Sequence, residues 1–316
     1  MGISEARAKW VVHWLDDKVA EGRMHLGELR EGLGRLQFAA GPLEHLRPFL
    51  GPLYRWACVG HKYARPKLPL MIILIMKYIS GEMKRSCMSK CATKTRDLGE
   101  VFRLDAKAEG NVVAIGGWAT KKGMATKQSK WFACSLDRSN APWAFHRGET
   151  FRTIASLELL GALVGVMVLL PENEMDLNSV GMVTLTCGTD NQGTVYLLDK
   201  LLTTKYPLAV ILMELSCQLG MRGASMRARW IPRLQNEEGD ALTNGDYRHF
   251  DAKLRIPVDL GALPFKVMND MFAVGEDYVK DLETMKEKGV IRSGTGSGLA
   301  AGKTKKGQAL RDRDPW

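Results

Sequence analysis

Several familiar signals are missing from this sequence of 316 residues. The longest apolar runs, residues 68–79 and 159–170, fall short of the roughly 18 residues that a membrane-spanning helix needs. The N-terminal stretch is charged and amphipathic, which is not the pattern of a secretory signal peptide. These absences predict a soluble, intracellular protein without a membrane partner.

Cysteine pairs are also scarce. Of six cysteines, only Cys87 and Cys91 are close in sequence, and no second pair or histidine cluster completes a zinc site. We therefore expect reduced thiols, several of them buried.

Acidic residues are outnumbered: 45 Lys and Arg against 35 Asp and Glu give a formal net charge of +10. This excess favours an anionic partner, either nucleic acid or a membrane surface. The hydrophobic content of 45% is that of an ordinary globular protein, and the length allows two modest domains.

The pattern of residues divides the chain into four predicted parts. Residues 1–64 have helical spacing of apolar residues, and residues 65–100 contain one more helix and a basic linker. Residues 101–246 alternate strands with helices. Residues 247–316 form a C-terminal extension, whose Gly-rich, basic end is typical of disorder.

Within residues 101–246, the predicted order is three strands, a helix, a strand, two helices, a strand and a helix. Asp105 lies in the first strand. Glu158 lies in the predicted helix 150–170, at one end of a stripe of small residues that would let this helix approach a sheet closely. A carboxylate on a buried face is costly unless it is paired or binds a metal.

Two further acids follow. Asp190 and Asn191 come where strand 181–189 runs into a helix, and Asp240 lies in the first turn of a helix that Asn236 is predicted to cap. Acids at helix starts are often only dipole partners. That structural explanation stays open for Asp190 and Asp240 taken one at a time.

Four motifs around these acids occur in one order: FRLDAKAEG…GGWAT, TIASLELLGAL, TCGTDNQGTV and WIPRLQNEEGDALTN. Together they resemble the ribonuclease H domain of retroelement reverse transcriptases, most of all the DIRS-like and pararetroviral types. The segment HLGELREGLGRLQFAAGPLEHLRPFLGPLYRW is similar to the thumb of those enzymes, and helix 68–83 to their connection segment. The resemblance implies an α/β fold, namely an RNase H-like mixed five-stranded sheet with flanking helices, preceded by a small helical thumb-like segment.

The resemblance also implies an activity. It predicts an RNase H-type endonuclease that uses two Mg²⁺ (or Mn²⁺) ions to hydrolyse the RNA strand of an RNA–DNA hybrid. Asp105 would bridge both ions, and Glu158, Asp190 and Asp240 would complete their coordination. The candidate nucleic-acid-binding residues are Asn191, Lys121, Lys122, Lys127, Lys130, Arg227 and Arg229. Lysines at a turn are more often simply solvated.

The sequence departs from the family in three ways. Gly239 replaces the usual alanine before the last aspartate, no histidine lies between His146 and His249, and no Tyr-x-Asp-Asp polymerase motif occurs anywhere. A polymerase domain or subunit supplied elsewhere is therefore a possible partner. Two alternatives remain: a catalytically inactive, retroelement-derived remnant that binds nucleic acid, and an unrelated α/β binding protein whose acids only cap helices.

Overall fold

The computed structural model describes residues 2–61, 63–85, 95–120, 123–146, 148–170 and 182–293. The helices are α1 (Glu5–Glu21), α2 (Leu26–Ala39), α3 (Leu50–Val59), α4 (Leu70–Arg85), α5 (Pro142–Phe145), α6 (Ile154–Val168), α7 (Gln192–Lys200), α8 (Leu208–Met221), α9 (Glu237–Thr243) and α10 (Met268–Ser293). The strands are β1 (Thr95–Glu109), β2 (Val112–Ala119), β3 (Trp131–Leu136), β4 (Met182–Thr189) and β5 (Ala224–Trp230).

The chain divides into two units. The first comprises Met1–Ser89, Thr204–Tyr206 and Asp270–Trp316, and the second comprises Lys90–Thr203 and Pro207–Asn269. The predicted domain boundaries rest on family resemblance as well as on composition, and they stay a prediction. Cys87, Cys91 and the predicted basic tail from residue 294 onward lie outside the described residues.

The first unit is helical, as its apolar spacing predicts. Helix α1 begins after Ser4, whose hydroxyl accepts a hydrogen bond from the backbone N–H of Arg7, and it ends at Gly22 in the left-handed conformation. Asp16 ties α1 to α4, because its carboxylate accepts hydrogen bonds from Ser80 and Lys84, both at 2.7 Å. The unit is thus held by packed helices with polar links at their surface.

The second unit is built on a five-stranded sheet in the order β3-β2-β1-β4-β5. Strand β1 pairs antiparallel with β2 and parallel with β4, and β5 continues the sheet parallel to β4. This mixed sheet with flanking helices confirms the predicted fold class and is consistent with an RNase H-like fold. Its topology brings the C-terminal half of β1 beside the ends of β4 and β5.

Helix α6 is the core helix of this unit, and its small residues allow the predicted close approach to the sheet. A Cβ at Gly165 would lie 2.9 Å from the ring of Phe102, which is fully buried. Residues Thr150–Val168 are long and apolar enough, by length and composition, to cross a membrane, and 67% of the apolar window is buried within the fold. The uninterrupted apolar run in this region, residues 159–170, is still shorter than a membrane span needs, and such burial is that of a core helix.

Three local features shape the second unit. Residues 139–149 contain the short helix α5. The two glycines of β2 allow a close approach: the register through them is continuous, and a Cβ at Gly116 would lie 2.8 Å from Leu242. Strand β1 begins at Thr95, before the predicted boundary at residue 101.

Two glycines of α6 provide a matched test of this packing. Gly165→Ala would place a methyl group against a fully buried ring, so we expect it to lower the free energy of unfolding by about 1–3 kcal/mol. Gly161→Ala meets only ordinary contacts at 3.8 Å, and we expect it to be neutral or to stabilise by up to about 1 kcal/mol through helix propensity. Urea unfolding measures the free energy of unfolding of both variants. Equal changes in the two variants would contradict the close packing of Gly165 against Phe102.

Candidate active site

Three carboxylates meet at one end of the sheet. Asp105 comes from β1, Glu158 from α6 and Asp190 from the residue that follows β4, and one oxygen of each lies within 4.8 Å of the others. Asp105 is 5% exposed and Glu158 is 3% exposed, whereas Asp190 is half-buried. The structure thus brings together three of the four acids that the sequence singles out, although they are far apart in the chain.

The fourth acid, Asp240, lines the same cavity of about 590 Å³ but is paired with a cation. Arg233 donates from Nη2 to Asp240 Oδ1 at 3.1 Å, and its Nε lies 3.4 Å from Oδ2. The arginine side chain is largely exposed, and that of Asp240 is one third exposed. Asp240 therefore lies at the open side of the cavity, with a guanidinium as its present counter-ion.

Helix α9 and strand β1 position Asp105. The hydroxyl of Thr243 donates to Asp105 Oδ2 at 2.7 Å, so one turn of α9 supplies both Asp240 and this hydrogen bond. Gly239 makes the approach possible, because a Cβ there would lie 2.8 Å from Asp105 Cβ and 2.8 Å from Asn236 Nδ2. An alanine would require a shift at this point.

Asn236 occupies the predicted N-cap position of α9, but its side chain makes no capping hydrogen bond. Its Nδ2 instead donates to the backbone carbonyl of Leu104 at 3.3 Å. The residue is fully buried, and its Oδ1 has no partner among the described residues. The predicted capping role is therefore wrong: the amide joins the loop before α9 to β1, beside Asp105.

Glu158 is oriented by the end of β4. Thr189 donates its hydroxyl proton to Glu158 Oε2 at 3.2 Å and accepts the backbone N–H of Asn191 at 3.1 Å. The backbone carbonyl of Asp190 is held by the indole N–H of Trp230 at 3.0 Å. These bonds fix the turn that presents Asp190 to the other two acids.

Burial and mutual repulsion dominate the electrostatics. Burial raises the pKa of Asp105 to about 7; the charges of Asp190 and Asp240 add to this rise. The hydrogen bond from Thr243 opposes it. Glu158 is more deeply buried, and burial followed by repulsion from Asp105 and Asp190 raises its pKa well above the usual range.

Asp190 is shifted in the same direction for a similar reason. Burial raises its pKa and the charge of Asp240 adds to the rise, while Arg233 opposes it. In turn, the hydrogen bond with Asp240 raises the pKa of Arg233. The arginine therefore acts as a cation for three of the four acids, Asp240, Asp190 and Asp105.

The donor set suits a hard divalent cation. Mg²⁺ and Mn²⁺ prefer carboxylate oxygens and water, and the cluster offers three converging carboxylates with a fourth at the rim of the cavity. Within the described residues, neither Asp105 nor Glu158 forms a salt bridge, and Arg233, which is paired with Asp240, acts on Asp105 only through its charge. A bound cation would relieve the repulsion that burial strengthens.

The predicted nucleic-acid-binding residues are in diverse surroundings, and their roles stay predictions. Asn191 lines the cavity and caps α7, accepting the backbone N–H of Thr194 at 3.1 Å. The guanidinium of Arg229 is bound to Glu100. The other basic candidates are exposed where they are described: Lys127, Lys130 and Arg227 lie on the surface, and Lys121 and Lys122 lie outside the described residues.

Sequence reasoning missed two residues of the site, Arg233 and Thr243. Both lie inside the motif WIPRLQNEEGDALTN, so the signal was present. Thr243 follows Asp240 by three residues, which places the two about one helical turn apart. Their contacts with Asp105 and Asp240 depend on the folded chain.

Comparison with known proteins adds a weak structural likeness. No protein-family model and no curated protein matches the sequence. Among solved structures, the chain is similar to the RNase H1 of the halophilic archaeon Halobacterium salinarum NRC-1, with 16% identity and a TM-score of 0.30. The match covers 48% of this chain and 97% of that chain.

The buried acids predict an unusual dependence of stability on pH. The pKa of Asp105 is about 7 in the folded protein and 3.8 in an unperturbed aspartate, so the folded state holds the extra proton between these values. The metal-free protein should therefore lose stability as the pH rises through this window. From pH 5 to pH 8, we expect Asp105 to account for a loss of about 2–3 kcal/mol in the free energy of unfolding.

Asp105→Asn should remove most of this loss and should be more stable than the wild type at pH 8. Glu31→Gln, at an exposed position of α2, is the matched control and should follow the wild type. Urea unfolding in the presence of EDTA measures all three proteins. Parallel pH profiles for the wild type and Asp105→Asn would contradict the predicted charge state.

Arg233 provides a second test, because it competes with any metal for Asp240. We expect Arg233→Gln to raise the affinity for Mn²⁺ about two- to fivefold, since an exposed ion pair is worth up to about 1 kcal/mol. Arg248→Gln removes a similar exposed pair with Asp246 and should change nothing. Electron paramagnetic resonance of free Mn²⁺ measures the affinity. A lower Mn²⁺ affinity in Arg233→Gln than in the wild type would contradict competition between Arg233 and the metal.

Proposed function

We propose that this chain is a metal-dependent, RNase H-type endonuclease of retroelement origin, which hydrolyses the RNA strand of RNA–DNA hybrids. One observation carries the proposal: carboxylates from β1, α6 and the end of β4 converge within 4.8 Å, and two of the three are buried. The order of the four motifs supports the same assignment.

Asp105, Glu158 and Asp190 would hold the metal, with Asp240 available on the open side of the cavity. When two Mg²⁺ or Mn²⁺ ions are bound in such a site, they lower the pKa of the attacking water and stabilise charge on the leaving 3′ oxygen. The chain's own contribution is orientation. Thr243 and Thr189 each fix one carboxylate by donating a hydrogen bond, so the ligands are placed before substrate arrives.

The substrate class is supported by charge and by resemblance. The net charge of +10 favours a polyanion, and phosphate contacts from basic residues supply most of the affinity for nucleic acid. A hybrid would be distinguished from DNA by its 2′-hydroxyl groups, which an RNA strand presents in the minor groove. We also propose that a polymerase domain or subunit is supplied elsewhere, because the sequence has no Tyr-x-Asp-Asp motif.

A second candidate is a remnant that binds nucleic acid without cutting it. The observation that favours it is the ion pair between Arg233 and Asp240, which occupies one predicted metal ligand. The presence of all four acids and of the two threonines that orient them favours the nuclease.

Cleavage of a labelled RNA–DNA hybrid in Mg²⁺ tests the proposal. The wild type should cut, and Asp190→Asn and Glu158→Gln should each lower the rate by more than about 100-fold, since loss of an indirect metal contact alone costs 10- to 100-fold. Glu31→Gln should cut like the wild type. Binding of the hybrid without cleavage by any of these proteins would support the remnant instead.

A further inference from the structure

A second concave surface lies beside the acidic cavity, between α7 and β5, which is the last strand of the sheet. We call it the aromatic groove; its volume is about 440 Å³. It is lined by Gln192, Val195, Tyr196, Asp199, Arg227, Ala228 and Trp230. None of these residues coordinates or orients the acidic cluster, apart from the bond of Trp230 to the Asp190 backbone.

The groove exposes two aromatic side chains. Tyr196 is 67% exposed and Trp230 is 45% exposed, although both are large enough to contribute strongly to a core. Single exposed apolar residues are common on proteins, but two aromatic residues lining one groove form a ready contact surface. Flat rings of this kind stack on nucleobases of any sequence.

The groove is anchored to the catalytic turn. Trp230 donates its indole N–H to the Asp190 carbonyl at 3.0 Å, which fixes the edge of the ring and leaves part of it in solvent. The chain also continues directly from one surface to the other: Asp190 and Asn191 line the acidic cavity, and Gln192 lines the groove. A nucleic-acid strand that leaves the acidic cavity on this side would therefore reach the aromatic groove next.

Basic groups accompany the aromatic rings. Arg227 is exposed, and among the described residues its guanidinium makes no ion pair, in contrast to Arg229, which is bound to Glu100. The ammonium group of Lys200 lies 5.3 Å from the centroid of the Tyr196 ring. Asp199 is the acid in the lining and Arg227 is the cation there, while Lys200 lies beside the lining at the Tyr196 ring. The guanidinium of Arg227 and the nearby ammonium of Lys200 suit a phosphodiester attached to a stacked base.

We propose that the aromatic groove binds an unpaired nucleotide of the nucleic-acid substrate, with its base stacked on Tyr196 or Trp230 and its phosphate near Arg227. The inference rests on the proposed function, because it assigns a subsite to the same substrate. It makes the enzyme selective for hybrids that carry a single-stranded extension over fully paired ones. The extension can belong to the RNA or to the DNA strand, since both offer the same base faces and phosphates.

The test is binding of full-length protein to two hybrids in EDTA, so that cleavage does not interfere. One hybrid is blunt, and the other carries a short overhang that contains 2-aminopurine. The overhang is placed on the RNA strand in one set of measurements and on the DNA strand in a second set. The wild type should bind the overhang substrate about 5- to 100-fold more tightly, and the 2-aminopurine fluorescence should be quenched by stacking.

Tyr196→Ala should reduce affinity for the overhang substrate towards that of the blunt one and leave blunt binding unchanged. Arg227→Gln should lower affinity for the overhang substrate more than affinity for the blunt one. Trp230→Phe keeps a ring but loses the bond to Asp190, so it should retain quenching. Met221→Ala, which removes an exposed apolar side chain at the end of α8, should behave as the wild type. Thermal melts confirm that each variant is folded.

Equal affinity of the wild type for the two hybrids would overturn the groove assignment. So would an equal loss of blunt and overhang binding in a folded Tyr196→Ala variant, because the side chain would then not distinguish an unpaired nucleotide. If the wild type cuts the blunt hybrid but binds the overhang hybrid no more tightly, the groove assignment is refuted and the proposed nuclease activity is not. Overhang-dependent binding without any cleavage in Mg²⁺ supports the groove and refutes the nuclease.

Discussion

The second unit depends on the cost of burying two like charges side by side. Asp105 and Glu158 lie almost wholly out of solvent, and one oxygen of each lies within 4.8 Å of the other. Isolated buried carboxylates would normally take up protons, as the raised pKa of each indicates. A fold that keeps such a pair gives up stability at neutral pH, and a divalent cation is the natural way to recover it.

Small side chains and hydroxyl groups make this burial possible. Gly165 lets α6 lie against Phe102, which brings Glu158 down to the level of β1, and Gly239 lets α9 touch Asp105 from the other side. The threonine hydroxyls then supply one hydrogen bond to each acid without adding charge. Larger residues at the two glycines would separate the carboxylates before they could share a ligand.

Much of this was predictable from local patterns. The spacing of apolar residues predicted each strand and helix that positions one of the four acids. The stripe of small residues in α6 identified the buried face of that helix, on which Glu158 lies. The contacts of Arg233 and the turned side chain of Asn236 were not predictable. The first depends on how the loop before α9 folds, and the second depends on Leu104, which is 132 residues away in the sequence. Asparagine is a common N-cap residue, but the fold brings the carbonyl of Leu104 close to Asn236. The side-chain amide therefore donates its hydrogen bond to that carbonyl and does not cap the helix.

The fourth acid differs from the buried ones in a way that bears on mechanism. Asp240 is partly exposed and paired with an exposed guanidinium, and such a pair is worth at most about 1 kcal/mol. Exchanging that partner for a metal or a phosphate therefore costs little and disturbs no packed residue. The buried acids define a fixed position for a cation, whereas the Asp240 side can change partners as substrate enters. Because Arg233 already neutralises the charge of Asp240, repulsion among the acids does not displace α9 when no ligand is bound.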